Sequence, residues 1–171
     1  MKQNNQGFSL LELIVSIAIM AVLSGMMAPQ FFKYIEKARE VRDLQTLQTV
    51  YTAVQTALAD DEAYEVMCSS AVEYSGEDGE KRFSYCYTLE DVLADGAFGE
   101  EVEELLGTEK TIDLISKKSE QGVICIKITG ESDGDVLRIR VYSGKRTDPE
   151  IRAGSLDGVG AVMKEKEAGS K

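Results

Sequence analysis

The sequence predicts an α+β fold in which one long N-terminal helix packs against a small antiparallel β-sheet. An uncharged run of 20 residues, from Leu13 to Phe32, continues into a periodic stretch, and no Gly or Pro interrupts the chain from Gln30 to Asp61. Two later segments, Val123 to Thr129 and Val136 to Tyr142, alternate apolar and polar side chains as half-buried strands do. The 171 residues are about one domain's worth of chain.

The uncharged run has the length of a membrane-spanning helix. Its 20 residues, at about 1.5 Å each, extend about 30 Å, the thickness of the hydrocarbon core of a bilayer. A secretory signal has a shorter apolar region that ends in a small-x-small site, whereas here Ala28 is followed by Pro29, a poor place to cut. We expect residues 8–32 to form a transmembrane helix.

The stretch after Phe32 predicts that the same helix continues as an amphipathic half over residues 33–60. Its apolar residues recur in steps of three and four, as on one face of a helix. They are Phe31, Tyr34, Ala38, Val41, Leu44, Leu47, Tyr51, Val54 and Leu58. We therefore expect one helix from near Phe8 to near Ala59, and residues 33–171 as an ectodomain that begins with its second half.

An acidic region, residues 61–121, follows the long helix. Residues 60–115 hold 17 acidic and three basic side chains. The segment from Ser75 to Gly79 has the composition of a turn or loop. Thr88, followed three residues later by Asp91, resembles a helix N-cap with a capping box. We expect short helices around residues 89–95 and 99–106.

The alternating segments predict a β-hairpin over residues 122–143. Each strand has one apolar face, formed by Ile124, Ile126 and Ile128 in the first and by Leu137, Ile139 and Val141 in the second. The turn between them is expected at Gly130 to Asp135, and the stripe of the long helix is the surface that the apolar faces cover. A Gly-rich, charged tail follows from Ser143, with its last eight residues frayed.

Composition excludes several functional classes. The chain has no His and three Cys, so a Ser-His-Asp triad, an imidazole-ligated metal and a four-cysteine metal site are all excluded. Its formal charge is −11, opposite to the field that a nucleic-acid binder needs. We expect no catalytic residues, no metal, no cofactor and no direct nucleic-acid binding.

Three further groups of residues have an ordinary structural interpretation. Glu131, Asp133 and Asp135 lack the pattern of an EF-hand, and we expect a solvated turn. Phe83, Tyr85 and Tyr87 alternate as one buried face of a strand does. Four acidic residues are expected to form a solvated helix face rather than paired catalytic carboxylates. They are Glu100, Glu101, Glu103 and Glu104.

The N-terminal motif resembles a specific signal. After the short polar leader of residues 1–7 the chain reads Gly-Phe-Ser-Leu-Leu-Glu-Leu, from Gly7 to Leu13, and then enters the uncharged helix. This arrangement resembles the signature of type IV pilins and pseudopilins. The resemblance implies that a prepilin peptidase cuts between Gly7 and Phe8 and methylates the new Phe8 amine. It also implies that Glu12 is the buried acid of the family, and that Gly25 and Pro29 mark a weak point in the helix.

The residues themselves give a physical reason for Glu12. A carboxylate in a spanning segment costs about 2.5–3.5 kcal/mol on insertion scales, and such charges persist where a partner neutralises them. Once Phe8 is a free N-terminus, its ammonium is the cation available at that depth. The two groups are about 6 Å apart along one helix axis, and a closer approach between staggered neighbouring subunits would set their register.

The resemblance implies a structural protein rather than an enzyme. The expected function is that of a type IV pilus subunit. It would be held in the cytoplasmic membrane by a single spanning helix and then be polymerised into an extracellular pilus. Its partners would be other copies, other pilins, the prepilin peptidase, and an assembly platform with its ATPase. Two alternatives stay open. One is a pseudopilin of a type II secretion or competence DNA-uptake system, and the other is a membrane-anchored minor pilin or adhesin.

The three cysteines permit one disulfide outside the membrane. Alternation places Cys125 on the strand face that carries Lys127, away from the isoleucines. The favoured bridge is therefore Cys68 to Cys86, and three reduced thiols are the alternative.

Overall fold

The computed structural model describes residues 9–76, 79–107, 112–131 and 136–164. The chain divides after Ala38 into two compact units, here called the anchor unit and the globular unit. Helix α1 (Leu10–Ala57) runs from the first into the second. The predicted long N-terminal helix is confirmed, and its end at Ala57 lies within two residues of the expected position.

Within the described residues, the globular unit continues with three helices and six strands. In chain order they are α2 (Asp61–Ser70), β1 (Val72–Ser75), β2 (Lys81–Thr88), α3 (Leu89–Leu93), α4 (Gly96–Leu106), a 3-10 turn (Lys117–Ser119), β3 (Val123–Glu131), β4 (Val136–Lys145), β5 (Asp148–Arg152) and β6 (Val159–Lys164). The α+β class and the antiparallel sheet are therefore as the sequence predicts.

The sheet is antiparallel throughout, in the order β1-β2-β3-β4-β5, with β6 also paired to β4. The predicted hairpin is β3 and β4, in which Ile126 lies opposite Val141 and Ile128 opposite Ile139. Residues after Ser143, expected as a tail, instead supply β5 and β6. Both pair with the free edge of β4, β6 along Val136–Val141 and β5 at Gly144 and Lys145. Such pairing uses backbone groups, so side-chain composition does not reveal it.

One face of the sheet, here called the inner face, packs against the C-terminal part of α1. Ile124, Ile126 and Ile128 of β3 are fully buried there with Ile139 and Val141 of β4. From α1 the buried residues are Asp43, Leu47, Val50, Tyr51, Ala53, Val54 and Ala57. The predicted stripe is thus correct for Leu47, Tyr51 and Val54 but wrong for Val41 and Leu44, which are exposed. The buried sector of α1 passes through Asp43 instead, whose carboxylate accepts hydrogen bonds from the segment of Ile115 and Ser116.

Helices α2 and α4 also pack on the inner face. Ala63 and Met67 of α2, with Phe98 and Val102 of α4, belong to the same hydrophobic core as the isoleucines. The Asp95 carboxylate links these elements, because it accepts hydrogen bonds from Tyr85 Oη (2.9 Å) and Ser70 Oγ (3.0 Å). Burial and the Asp95 carboxylate raise the pKa of Tyr85. The tyrosine therefore stays a hydrogen-bond donor at every physiological pH.

Helix ends in this region follow local rules. Thr88 caps α3 in a complete capping box with Asp91, as predicted. Asp60 accepts from the backbone N–H groups of Glu62 and Ala63 and starts α2, a helix that the sequence analysis missed. Gly107 ends α4 with a φ of 64°, a left-handed conformation that glycine adopts without steric cost. These caps place the acidic residues of α2 and α4 on continuous helix surfaces.

Candidate functional site: the N-terminal anchor helix

The apolar side chains of the anchor unit are exposed. Fifteen large apolar side chains between Leu10 and Tyr34 are between 49% and 75% exposed. They are Leu10, Leu11, Leu13, Ile14, Val15, Ile17, Ile19, Met20, Val22, Leu23, Met26, Met27, Phe31, Phe32 and Tyr34. Within the described residues, α1 is the one helix that is long and apolar enough to cross a membrane. A surface of this kind requires lipid or other protein to cover it.

Glu12 lies in the first turn of this helix. The helix begins where the Ser9 carbonyl accepts hydrogen bonds from the N–H groups of Glu12 (3.0 Å) and Leu13 (3.2 Å). One turn later Ser16 Oγ donates to the Glu12 carbonyl at 2.8 Å. Glu12 therefore lies at the positive end of the helix dipole of α1. The dipole favours a carboxylate at that position.

The Glu12 carboxylate has no counter-charge nearby among the residues that the structure describes. It is the single charged side chain between Leu10 and Phe32. Among the described residues it forms no ion pair and no side-chain hydrogen bond. A lone carboxylate on an apolar helix needs a cation supplied by another group, because an unpaired charge is costly away from water.

The cleavage and methylation site, Gly7 and Phe8, lies outside the described residues. The helix starts two residues after Phe8, at Leu10. In the sequence, cleavage after Gly7 would therefore leave the new amine two residues before the first residue of α1 and four residues before Glu12.

The predicted weak point, Gly25 and Pro29, lies inside α1, and the helix runs through both residues without interruption. No atom beyond the helix backbone lies within 4 Å of the position that a Cβ would take at Gly25. Pro29 has no N–H to donate to the Gly25 carbonyl, so one helical hydrogen bond is missing there. The weakness of this segment in an assembled state stays a prediction.

A second polar site, which the sequence analysis missed, lies in the globular unit. The Asp43 side chain is 1% exposed, and its carboxylate accepts from the N–H groups of Ile115 (3.0 Å) and Ser116 (2.8 Å). Ser116 then caps the 3-10 turn, and Lys118 in that turn forms a 2.9 Å ion pair with Glu40. The spacing of Asp43 in the sequence could have indicated its burial, because it lies four residues before Leu47 and therefore on the same, buried face of the helix.

All three cysteines are free thiols in the structure. Cys68 of α2 packs against the core on the inner face. Cys86 points to the opposite, outer face, because Phe83 and Tyr85 of the same strand are buried on the inner face. Its Sγ lies 3.5 Å from Tyr142 Oη, and Cys125 is also on the outer face. Bridging Cys68 to Cys86 would thus require a rearrangement across the sheet, and the pairing stays a prediction.

Burial suppresses ionisation of these thiols. It raises the pKa of Cys125 to about 12 and also raises the pKa of Cys68 and of Cys86. Because the thiolate is the reactive form, none of the three has the properties of an activated nucleophile.

Two of the three groups of residues with an ordinary structural interpretation lie on β2 and on α4. Phe83 and Tyr85 are buried on the inner face of β2, while Tyr87 is half-buried. Glu100, Glu101, Glu103 and Glu104 lie on α4, exposed or half-buried. Within the described parts of the chain, no group of three or more His, Cys, Asp or Glu side chains could hold a metal ion. The side chains of Glu131, Asp133 and Asp135 lie outside the described residues.

The fold and the anchor define a class of protein. A long helix that begins with an exposed apolar half and ends against an antiparallel sheet is a pilin-like α+β architecture. Residues 2–28 match the family model described as the prokaryotic N-terminal methylation motif, the class III signal of type IV pilins and pseudopilins. This motif supports a type IV pilin-like or pseudopilin substrate of a prepilin peptidase, and together with the apolar helix it indicates membrane anchoring before assembly. Searches of curated proteins and of solved structures found no match.

Proposed function

We propose that this protein is a structural subunit of a type IV pilus that polymerises through its N-terminal helix. In this proposal residues 1–7 are a leader, residues 8–32 form the membrane and filament-core segment, and residues 33–171 form the ectodomain. The observation that carries the proposal is the anchor unit, whose apolar side chains are exposed around the whole helix. Such a surface is covered first by lipid and then by the same surface of other copies.

Glu12 would direct the transfer from lipid to filament. After cleavage between Gly7 and Phe8, the N-methylated Phe8 ammonium of one subunit would pair with the Glu12 carboxylate of a neighbour. Each group is costly in an apolar medium alone, and pairing removes most of that cost. Because the pair forms at one axial offset, it selects that offset over others. The partners implied by this function are other copies, the prepilin peptidase, and an assembly platform with its ATPase.

The segment from Gly25 to Pro29 would loosen on assembly. The Gly25 carbonyl already lacks an intrahelical donor, and Gly is a poor helix former. Neighbouring subunits can satisfy backbone groups that are freed by local unwinding. We expect a filament map to show non-helical backbone between Gly25 and Pro29, and a map with unbroken helix there would refute this part of the proposal.

Two measurements on protein from the native host test the function. Intact mass is expected to show a chain that begins at Phe8, carries one methyl group, and has a side-chain charge of −12 instead of −11, because only Lys2 is lost among charged side chains. A mature chain that still begins at Met1 would contradict the proposal. Mass spectrometry of sheared surface filaments is expected to find this chain as their main component. A processed chain that is absent from them would favour a pseudopilin or a minor adhesin.

A further inference from the structure

The outer face of the sheet carries a basic trough in an otherwise acidic protein. A cavity of about 540 Å³ opens there, and its charged lining residues are Lys127, Arg138, Arg140, Arg152 and Glu150. Four cations thus face one carboxylate, although the whole chain has a formal charge of −11. We call this cavity the trough.

Two of the four cations have no partner among the described residues. Lys127 Nζ forms a 3.0 Å ion pair with Glu150, and Arg152 lies 3.8 Å from Asp157. Arg138 and Arg140 are exposed, and within the described residues neither guanidinium forms a hydrogen bond or an ion pair. Within the part of the chain that the structure describes, the trough therefore holds two cations that are available to an external anion.

The backbone keeps the trough open beside Arg140. Gly160 of β6 lies directly opposite Arg140 of β4. A Cβ at Gly160 would come within 2.6 Å of the Ile139 carbonyl oxygen and 3.0 Å of Arg140 Cγ. A larger residue at this position would push against the base of the arginine side chain, so the glycine leaves the guanidinium accessible.

The complementary surface lies on the other side of the same unit. Helix α4 packs against the inner face through Phe98 and Val102, and it carries Glu100 and Glu104 on its exposed side. Glu101 and Glu103 flank them. Within the described chain none of these four carboxylates forms an ion pair. We call these four residues the acidic face of α4.

We propose that the trough of one copy binds the acidic face of α4 of the next copy. This inference rests on the proposed function of a polymerising subunit and adds a contact between globular units to the contact between anchor helices. The two surfaces cannot meet within one chain, because the sheet and its core lie between them. A contact between two different surfaces of identical subunits is heterologous, so it repeats from copy to copy and suits a filament rather than a closed dimer.

Charge gives this contact its selectivity. In this contact Arg138 and Arg140, which form no ion pair within the described residues, face a row of four glutamates. Opposite potentials favour this docking over contacts between like acidic surfaces. Because the groups are near the surface, salt screens them over about 8–10 Å. Guanidinium and carboxylate groups also pair bidentately, which fixes orientation as well as proximity.

Crosslinking of the full-length protein tests the contact directly. Arg140→Lys places a primary amine in the trough, and a carbodiimide then joins amines to carboxylates in contact without a spacer. In membranes or filaments that contain equal amounts of light and 15N-labelled protein, we expect mixed-isotope crosslinks between the β4 peptide and the α4 peptide. Lys145, an exposed amine of β4 outside the trough, serves as the internal control and should give none. Filaments without the mixed-isotope crosslink would overturn the inference and leave the proposed function standing.

Charge reversal supplies a second test. Arg138→Glu with Arg140→Glu is expected to lower filament yield at least about tenfold, because like charges then face each other. The control, Lys81→Glu with Lys145→Glu, changes the net charge equally on exposed residues outside the trough and should assemble normally. Adding Glu100→Arg and Glu104→Arg to the trough variant should restore assembly. Normal levels of processed protein in the membrane show that each variant folds.

The outcomes separate the possible occupants of the trough. An equal loss of filaments in the control pair would assign the effect to net charge and overturn the inference. If the trough variant assembles normally, the inference is wrong. If this full-length variant also binds heparin or DNA less well than the wild type does, the trough binds an external polyanion. If the wild type forms no filaments at all, the proposed function fails, while crosslinking in membranes still tests the contact.

Discussion

The anchor unit and the globular unit contain the same kinds of apolar residue but differ in how far these side chains are exposed. In the anchor unit the large apolar side chains are about half to three-quarters exposed, whereas in the globular unit Leu47, Val54, Ile126 and Ile139 are fully buried. The globular unit thus buries much of its own apolar surface, while the apolar surface of the anchor unit requires lipid or other protein to cover it. The buried side chains of the globular unit therefore contribute to its stability, whereas the exposed side chains of the anchor unit are available for contacts with other molecules.

The largest expected effect comes from Glu12→Ala in the anchor unit. Removing the carboxylate makes the helix more apolar, so membrane insertion should be unchanged or improved, and the peptidase site at Gly7 and Phe8 stays intact. The Phe8 ammonium of a neighbour then loses its partner, at a cost on the order of several kcal/mol. We expect processed subunits to accumulate in membranes while sheared filaments fall sharply, which quantitative immunoblotting of both fractions measures.

Two comparisons sharpen that prediction. Ile14→Ala, a change of similar size at an exposed apolar position of the same helix, should reduce filament yield far less. If Glu12 only adjusts insertion depth, Glu12→Ala would give normal filaments with altered membrane abundance. Wild-type filament yield would therefore defeat the pairing mechanism.

The next effect compares two leucines of α1 within the globular unit. Leu47 is fully buried, whereas Leu44, one turn earlier, is 38% exposed. Leu47→Ala should lower the free energy of unfolding by about 2–5 kcal/mol, because it leaves a cavity in the core. Leu44→Ala should cost less than about 1 kcal/mol. Thermal unfolding of the full-length protein in detergent, followed by circular dichroism, measures both losses of stability. Equal losses would show that the two leucines do not differ in burial as the structure describes.

Asp43→Ala is expected to destabilise the globular unit by about 1–3 kcal/mol. It leaves the buried N–H of Ser116 without an acceptor and weakens the attachment of the segment around Ile115. Asp113→Ala, at an exposed carboxylate in the same segment, should stay within about 0.5 kcal/mol of wild type. Urea unfolding of the three proteins tests this. A loss shared equally by both variants would mean that the Asp43 hydrogen bonds contribute little.

The smallest effect concerns the thiols. Because burial raises the pKa of Cys125 to about 12, its thiolate fraction near pH 8 is about 1,000-fold below that of a thiol with the ordinary value of 9.0. Alkylation by iodoacetamide should rise with pH at Cys68 and Cys86 first, and Cys125 should react only on unfolding. Peptide mass spectrometry after timed labelling follows each site.

Non-reducing peptide mapping of protein from the native host tests the Cys68–Cys86 pairing in the same samples. A bridge that includes Cys125 would contradict the predicted pairing, and a bridge between Cys68 and Cys86 would show that the sheet region rearranges on oxidation.

Features with a local cause could be predicted from the sequence. The motif from Gly7 to Leu13, the uncharged helix, the cap at Thr88 and the β3–β4 hairpin each depend on residues close together in the chain. Their signals are periodicity, capping chemistry and composition, which short segments contain in full. The same reasoning identified Glu12, because a single charge in an apolar run is visible without any tertiary contact.

Features that join distant segments were decided by the tertiary structure. The burial of Asp43 depends on backbone N–H groups 72 and 73 residues away. Strands β5 and β6 form because β4 offers an unpaired edge, although their own composition predicts a tail. The trough exists because three strands, β3, β4 and β5, bring cations from residues 127 to 152 onto one face. Sequence alone determined the anchor and its motif, since their signals are local, whereas pairing and burial between distant segments depend on which surfaces the folded chain brings together.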